Sequence, residues 1–202
     1  GTGDAVKCGI SEVDDADKVL VLYGDVPLIK KETLENLVSI DDQSLTILCT
    51  QVDDPFGYGR VKKDNDGNVT QIIEEKDASN EDKKIQQVFT GILCCNKVLL
   101  AEALKEVKND NAAGEYYLTD IVSIINEKGF KIKTCNVPNQ EVKGANTKIE
   151  LSELEETFRK MKAEELLEMG ITVSDPNRVD VRGEVSAGTD CIIDVNVILD
   201  GV

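Results

Sequence analysis

Short apolar runs that are typical of buried strands alternate with amphipathic helical patterns along most of this chain. The run Val19–Tyr23 is continuously apolar, as in a strand buried on both faces of a parallel sheet. The next segment, Lys31–Val38, places Leu34, Leu37 and Val38 on one helical face. Alternation of this kind predicts an α/β sheet.

The same patterns continue downstream. Further strands are predicted over Leu45–Val52, Gln87–Cys95 and Phe130–Val137, and helices over Lys97–Val107 and Tyr117–Glu127. Arg60–Lys63 and Asn68–Ile73 flank the turn Asp64-Asn-Asp-Gly67, which predicts an antiparallel hairpin inserted in the sheet. The start, Gly1–Asp4, looks like the middle of a loop and suggests a fragment of a longer protein.

The last third of the chain changes character. Ile149–Met169 predicts one long helix with an apolar stripe formed by Leu151, Leu154, Phe158 and Met161, and Gly170 ends it. After it, apolar residues recur every six positions in two series, Val179, Val185, Cys191 and Val197 and then Val181, Ala187, Ile193 and Leu199. A six-residue period is typical of a parallel β-helix, and one or two isolated strands are the alternative.

These patterns divide the chain into three parts. Residues 1–146 are predicted to form the main domain, 147–170 a connecting helix, and 171–202 the start of a β-helix. The sequence ends before three complete repeats could stack into a stable core.

Composition excludes several classes of function. The 39 acidic against 23 basic residues give a formal charge of −16, which repels nucleic acids and anionic membranes. A small phosphorylated substrate would need a divalent cation to offset that repulsion. The chain has no histidine, which removes Ser-His and Cys-His catalysis and imidazole metal sites. No apolar run predicts a membrane span and no leader is visible, so the chain is expected to be soluble.

The six cysteines form no C-x-x-C pair, and most of them lie inside apolar runs. We therefore expect reduced, buried thiols in a cytoplasmic protein rather than a disulfide framework.

Asp25 is the first candidate for chemistry. Ligands of open α/β sheets gather beyond the carboxyl ends of the strands, and Asp25 follows a strand on the hinge Gly24. It could bind a metal there, or it could be a turn residue or helix cap.

Other polar residues are ambiguous in the same way. Gly57-Tyr-Gly59 could offer backbone N–H groups to a ligand, or it could form a plain turn. Glu74 ends a hairpin strand as Asp25 ends the first strand, so it is a candidate for the site, or it could belong to a solvated charge cluster. Tyr117 could line a sugar pocket, as could Thr119, or Tyr117 could be a core-edge aromatic residue. Asn146 precedes the long helix, where an N-cap is the usual role.

Taken together and in order, these stretches resemble the bacterial bifunctional N-acetylglucosamine-1-phosphate uridyltransferase / glucosamine-1-phosphate acetyltransferase family. The matching stretches are Gly1-Thr-Gly3, Leu22-Tyr-Gly-Asp-Val-Pro-Leu-Ile29, Asp53-Asp-Pro-Phe-Gly-Tyr-Gly-Arg60, Ile73-Glu-Glu-Lys-Asp-Ala78, Thr90-Gly-Ile92, Gly114-Glu-Tyr-Tyr-Leu-Thr-Asp120, Gly144-Ala-Asn146 and Asp180-Val-Arg-Gly183. The resemblance implies a Rossmann-like nucleotidyltransferase domain lacking its N-terminal part, a long helix and the start of a left-handed β-helix.

The resemblance also implies roles for individual residues. Asp25 and Asn146 resemble the pair that binds Mg²⁺, to which both offer hard oxygen ligands. The other matching residues resemble positions that bind the substrates. Those for the uracil are Gly1 and Thr2, and those for the nucleotide sugar are Tyr23 and Gly24. Those for the amino sugar are Gly59 and Glu74, and those near the sugar and phosphate are Tyr117 and Thr119.

The implied reaction is uridylyl transfer from UTP to N-acetylglucosamine-1-phosphate, which gives UDP-N-acetylglucosamine for cell-wall peptidoglycan and releases pyrophosphate. It needs no protein nucleophile, so the lack of histidine is consistent with it. A homotrimer is implied for the parent protein through its β-helix.

The sequence also departs from the family. The N-terminal glycine-rich loop and most of the β-helix, with its acetyltransferase residues, are absent, so these 202 residues alone are expected to be inactive. Phe89 stands where the family commonly has an Asn that binds the sugar. A related nucleotidyltransferase with another base or sugar therefore stays open, as does a non-catalytic binding or assembly module.

Overall fold

Five α-helices and ten β-strands make up the described part of the computed structural model, which comprises residues 1–13, 16–40 and 44–201. The strands are β1 (Lys18–Val21), β2 (Leu45–Gln51), β3 (Gly59–Lys63), β4 (Val69–Ile73), β5 (Gln87–Asn96), β6 (Ile132–Asn136), β7 (Thr172–Val173), β8 (Val179–Arg182), β9 (Ile192–Ile193) and β10 (Val197–Asp200). The helices are α1 (Thr2–Ile10), α2 (Lys31–Ser39), α3 (Lys97–Glu106), α4 (Asp120–Glu127) and α5 (Lys148–Glu168). Short 3₁₀ helices span Asp82–Lys84, Asn139–Val142 and Pro176–Arg178.

The chain divides into two compact units, Gly1–Val142 and Lys143–Val202. The first contains a mixed sheet of order β4-β3-β5-β2-β6, in which β1 also pairs with β5. Only β2 and β6 run parallel, and the other pairs are antiparallel. The long strand β5 therefore lies at the centre, with β2 along one edge and β3 and β1 sharing the other. The predicted α/β sheet with an antiparallel hairpin, β3–β4, is confirmed.

The environment predicted for the first strand is wrong. β1 pairs antiparallel with β5, and all four of its residues are only half-buried. The run was expected to lie inside a parallel sheet, but within the described residues β1 has only β5 as a hydrogen-bonded neighbour. Leu22, at the end of the run, is 45% exposed.

Helices cover both faces of this sheet. On one face, α3 and α4 pack against alternate residues of β2 and β5 in the larger apolar cluster, which includes Ile47, Leu93, Leu100 and Ile121. On the other face, Leu37 of α2 packs with the intervening residues of the same strands in a smaller cluster. The two-residue period of the strands thus supplies two cores. On α2 the buried residues are Thr33 and Leu37, so the predicted stripe is only partly correct.

Two predicted boundaries are also wrong. Gly1–Asp4 is not a loop: Gly1 is the N-cap of α1, whose Val6 and Ile10, four residues apart, pack against the larger cluster. The helix predicted from Tyr117 starts at Asp120, because residues 117–119 form a turn that precedes it.

The second unit consists of α5 and two pairs of short parallel strands. β8 pairs with β10 in the register Val179↔Val197, and β7 pairs with β9 in the register Thr172↔Ile192. Its core contains Leu166 and four residues of the strand region, Ile171, Val173, Val179 and Val181.

The apolar stripe predicted for the long helix differs from its buried face. Leu154 is buried, but Leu151 and Phe158 are 47% and 40% exposed. The other buried residues of α5 are Ala163 and Leu166. The strand region packs against the C-terminal half of α5. Two of the three buried residues of α5 therefore lie in that half, beyond the predicted stripe.

The cysteines are less uniformly buried than expected. Cys49, Cys94 and Cys95 are buried, Cys135 is half-buried, and Cys8 and Cys191 are exposed. Burial raises the pKa of Cys49 and Cys95 to about 12, so both thiols stay protonated. Separately, none of the helices in the described ranges has the length and apolar character needed to cross a membrane.

Candidate functional site

The start of α1 lies against the turn that precedes α4. The Gly3 N–H donates to the Tyr116 carbonyl at 2.9 Å, and the Thr2 hydroxyl accepts a hydrogen bond from the Leu118 N–H at 3.2 Å. A Cβ on Gly1 would lie 2.6 Å from the Tyr116 carbonyl oxygen, so the approach requires glycine there. Two stretches more than a hundred residues apart in sequence are thus brought together.

Tyr23 lies on a bulge in the central strand. β5 has extra residues where its register with β2 shifts, and Gly91 there has a φ of +88°. The Thr90 hydroxyl donates to the Leu48 carbonyl at 2.9 Å and accepts from the Ile92 N–H at 3.3 Å, which satisfies backbone groups that the bulge would leave unpaired. A Cβ at Gly91 would lie 2.3 Å from the Tyr23 ring, so the ring takes the space that a side chain would fill.

Glu74 is held at the end of β4. Its Oε1 accepts a hydrogen bond from the Thr119 hydroxyl at 2.8 Å, which fixes the carboxylate beside the start of α4. On its other side, a Cβ at Gly59 would lie 3.7 Å from both carboxylate oxygens and 2.7 Å from Cγ2 of Ile72. Gly59 therefore leaves room beside Glu74 that any other residue would narrow.

The surroundings of Glu74 are strongly negative. Burial raises the pKa of Asp120, and the charges of Glu74 and Asp77 raise it further. The pKa of Tyr117 is raised by burial, then by Asp77, Glu74 and Glu115. Burial also raises the pKa of Tyr23, and the Glu74 charge adds to this, while a hydrogen bond with Thr2 acts in the opposite direction and the charge of Asp25 raises it slightly. A phosphate entering here would require a cation.

The two predicted metal ligands lie in different units. Asp25 is exposed in the turn after β1, next to the exposed Gly24, where the Val26 N–H donates to the Tyr23 carbonyl at 3.4 Å. Asn146 is exposed in the second unit, and its N–H donates to Glu150 Oε2 at 2.8 Å. The helix N-cap is Thr147, so the usual role of an Asn before a helix belongs to its neighbour.

Both residues suit Mg²⁺ in their chemistry. A carboxylate and an amide carbonyl are hard oxygen donors, and both residues are accessible to solvent, which agrees with a metal that keeps most of its waters and substrate oxygens. Among the described residues, no group of three or more Asp, Glu or Cys side chains is arranged to hold a metal.

Most of the predicted substrate residues come together in the first unit. Thr2, Tyr23, Gly59, Glu74 and Thr119 are linked through the contacts above, and Tyr117 is near enough to Glu74 to be affected by its charge. The prediction missed the supporting roles of Gly91 and of the Leu118 N–H. A glycine inside a ten-residue apolar strand was the available signal for the first, because such a glycine often marks a bulge. A backbone N–H leaves no signal in the sequence.

The chain resembles known proteins along its whole length. Residues 1–137 match the family model described as "Nucleotidyl transferase". Curated relatives from several bacteria carry the name "Bifunctional protein GlmU". The one from Psychrobacter sp. strain PRwf-1 is 43% identical over 202 residues, which are 100% of this chain and 44% of that protein. The Alcanivorax borkumensis relative is 46% identical over 197 residues (96% and 43%), and a Pseudomonas putida relative is 47% identical over 203 residues (100% and 44%). The chain thus spans less than half the length of these relatives.

Solved structures share the fold at lower identity. The nucleoside-diphosphate-sugar pyrophosphorylase from Vibrio cholerae RC9 has a TM-score of 0.55 at 19% identity, over 75% of this chain and 63% of that one. A CMP:2-keto-3-deoxy-manno-octonic acid synthetase complexed with CTP has a TM-score of 0.53 at 17% identity, over 82% and 69%. At these identities the likeness supports the fold and not a substrate.

Proposed function

The chain belongs to the nucleotidyl transferase family and is homologous to the bacterial bifunctional protein GlmU, and we propose that the protein containing it makes UDP-N-acetylglucosamine. Family membership supports a sugar-phosphate nucleotidyltransferase related to the GlmU uridyltransferase. The proposal adds that UTP is the donor and N-acetylglucosamine-1-phosphate the acceptor. The observation that carries it is the hydrogen bond from Thr119 to Glu74, 2.8 Å long and bordered by Gly59, because it holds a carboxylate where an amino sugar would enter.

Each group in the first unit has a task in this reaction. Glu74 accepts hydrogen bonds from sugar hydroxyls, and Thr119 holds its carboxylate in one orientation. Gly1 and Thr2 contact the uracil, Tyr23 and Gly24 contact the nucleotide sugar, and Tyr117 lies near the sugar and phosphate. An oxygen of the sugar phosphate attacks the α-phosphorus of UTP as the bond to pyrophosphate breaks, so the protein needs only to position the reactants.

Asp25 and Asn146 are the proposed ligands of Mg²⁺. Their oxygen donors and exposure fit that ion, and the negative surroundings of Glu74 make a cation necessary for polyphosphate binding. When bound, Mg²⁺ supplies charge neutralisation on the phosphates. The carboxylate of Asp25 is exposed in the turn after β1.

The second unit supports a further part of the proposal. In the β8–β10 pair, partners lie eighteen positions apart, as Val179↔Val197 shows, and eighteen is three periods of six. In the β7–β9 pair the partners Thr172 and Ile192 lie twenty positions apart, two residues more than this period. One coil of a three-sided parallel β-helix would give the register of the β8–β10 pair, so we propose that 171–202 begins the β-helix of an acetyltransferase domain, preceded by the connecting helix 147–170 and the catalytic domain 1–146. Trimer formation and a cytoplasmic location are proposed for the whole protein from its homology to GlmU.

The test is an assay of pyrophosphate release by the full-length protein with UTP, N-acetylglucosamine-1-phosphate and Mg²⁺. We expect Asp25→Ala to lower kcat/KM about 100-fold or more, ~2.7 kcal/mol of transition-state stabilisation. Asp66→Ala is the control, because Asp66 is an exposed aspartate in the hairpin turn of the same unit. Undiminished activity would remove Asp25 from the metal site, and no release with any sugar phosphate would refute the proposed function.

A second candidate substrate follows from Phe89. This side chain is only 6% exposed, belongs to the larger apolar cluster, and pairs in register with Gly59. A phenyl ring cannot replace the hydrogen bonds of the Asn that is common in the family, and an unpaired polar group of the sugar would cost about 1–3 kcal/mol. A panel of sugar-1-phosphates separates the candidates: a preference for a sugar other than N-acetylglucosamine would favour the second.

A further inference from the structure

Arg60 is a buried charge next to the proposed sugar pocket. It lies in β3, immediately after Gly59, and is only 2% exposed. Its backbone pairs with Ile73 on one side and Val88 on the other, so the residue is enclosed by the sheet. A buried guanidinium is tolerated only with a charged or polar partner, and this requirement fixes what its neighbours must be.

Its partners belong to the loop before β3 and to the strand end after β4. The guanidinium donates to the Tyr58 carbonyl and forms an ion pair with Glu75. Glu75 Oε2 also accepts from the Gly57 N–H at 3.2 Å, and its Oε1 lies 3.4 Å from the Lys83 ammonium. These hydrogen bonds, that from Arg60 foremost, hold the pKa of Glu75 below its usual range, so the carboxylate stays charged.

One carboxylate therefore holds two points of the loop. It binds the Gly57 N–H directly, and it holds the Tyr58 carbonyl through Arg60. Both points belong to a tight turn over residues 55–58, in which Gly57 has a φ of +85° and the Tyr58 N–H donates to the Pro55 carbonyl at 3.1 Å. The next residue is Gly59, which borders the Glu74 carboxylate.

Glu74 and Glu75 are adjacent in sequence, but their carboxylates bind different partners. The Glu74 carboxylate binds the Thr119 hydroxyl, and the Glu75 carboxylate binds Arg60 and the loop. We propose that Glu75 and Arg60 form a clip that holds the backbone of 57–59 at a fixed distance from Glu74, which makes Glu75 a positioning residue for the sugar phosphate. The substrate part of this inference rests on the proposed function, whereas the structural part concerns the loop alone.

Kinetics of the full-length protein test the substrate part. Glu75→Gln removes the charge from the clip while keeping its size, and we expect the KM for N-acetylglucosamine-1-phosphate to rise about tenfold with less than a twofold change for UTP. Lys83→Met is the matched control, because it removes the other cation on Glu75 and leaves the pair with Arg60 intact, so both KM values should stay within about twofold of the wild type. Equal increases for both substrates would overturn the positioning role.

Hydrogen exchange of backbone amides tests the clip without any activity. In Glu75→Gln we expect faster exchange in a peptide covering 53–63 and no change in one covering 64–68, where the hairpin turn has its own hydrogen bonds. Unchanged exchange in 53–63 would refute the clip even if the enzyme is active. An inactive wild type would refute the proposed function instead. The clip would then be tested by the hydrogen exchange of 53–63 alone. If Glu75→Gln does not fold, Glu75→Asp, which shortens the carboxylate arm by one methylene, is measured in the same way.

Discussion

The two units of this chain are built on different amounts of buried surface. In Gly1–Val142, helices pack on both faces of a six-stranded sheet and produce two apolar clusters, the larger of nineteen buried residues. In Lys143–Val202, the apolar cluster has five buried residues beside two pairs of short strands. Many apolar side chains of α5 are exposed, among them Ile149, Leu151 and Leu167.

This difference shows which interactions stabilise each unit. Burial of apolar area is the dominant favourable contribution to folding, so packing stabilises the elements of the first unit. With little burial, the second unit depends more on local interactions, such as the cap of α5 and the pairing of short strands. The residues that define the candidate sugar pocket lie in the first unit, where packing can hold them in place.

The largest expected effect comes from the core of the first unit. Leu100 is fully buried in α3, and we expect Leu100→Ala to lower the free energy of unfolding by about 3–4 kcal/mol, because it leaves a cavity between helix and sheet. Leu166→Ala in the second unit should cost about 2 kcal/mol, since a small core can collapse around the cavity. Urea unfolding followed by far-ultraviolet circular dichroism measures both.

Val98→Ala is the control for Leu100→Ala. Val98 lies on the same helix but is 65% exposed, so its truncation should change the free energy of unfolding by less than about 0.5 kcal/mol. Equal losses for Leu100→Ala and Leu166→Ala would contradict the comparison of the two units.

A smaller effect is expected from two glycines with nearly the same backbone conformation. Gly91 in the first unit has a φ of +88° and Gly170 in the second a φ of +83°. Alanine is strained at both, which costs about 1 kcal/mol. At Gly91 the new Cβ would also lie 2.3 Å from the Tyr23 ring, whereas at Gly170 nothing lies within 4 Å.

Gly91→Ala should therefore cost about 1–2 kcal/mol more than Gly170→Ala, the excess being the displacement of Tyr23. The change in melting temperature measures the difference in stability. The near-ultraviolet circular dichroism of the tyrosines should change only in Gly91→Ala. Equal costs, with an unchanged tyrosine signal, would show that Tyr23 does not depend on Gly91.

Sequence patterns were sufficient to predict where many helices and strands of the first unit lie, but not which strands are neighbours or how deeply each is buried. Short apolar runs correctly indicated β2 and β5, a helical pattern indicated α3, and a turn signal indicated the β3–β4 hairpin, because these patterns reflect local structure and burial. The same reasoning misjudged β1, since an apolar run does not reveal whether its neighbour is parallel or how many neighbours it has. Strand order is a property of the whole sheet.

The candidate site was predictable only where a residue type is unusual for its place. Glu74 and Gly59 were found in this way and by resemblance, and the structure brings them together. Arg60 and Glu75 were not singled out, because charged residues at a strand end are usually solvated and burial is visible only in three dimensions. An N-cap was the alternative role considered for Asn146, but the cap of α5 is Thr147, which forms a capping box with Glu150 three residues later.

The smallest expected effect tests the local interactions of the second unit. Thr147 caps α5 by accepting a hydrogen bond from the Glu150 N–H at 3.2 Å, and Glu150 in turn accepts from the N–H groups of Asn146 and Thr147 at 2.8 Å. We expect Thr147→Ala to cost about 1 kcal/mol of unfolding free energy. Thr157→Ala, the same change inside α5, should be neutral or slightly stabilising, because alanine is the better helix former.

The cap also gives the second unit a dependence on pH. Hydrogen bonds from the N–H groups of Asn146 and Thr147 and from the Thr147 hydroxyl hold the pKa of Glu150 below its usual 4.5. A carboxyl whose pKa is lower in the folded state adds stability above its unfolded pKa, and this stability is lost as pH falls through the lowered value. Urea unfolding between pH 6 and about pH 3, compared between wild type and Glu150→Gln, should show a part of the acid destabilisation that the variant lacks. If both proteins lose stability alike over that interval, the carboxylate of the capping box does not stabilise α5, and the second unit does not depend on its helix cap in the way proposed here.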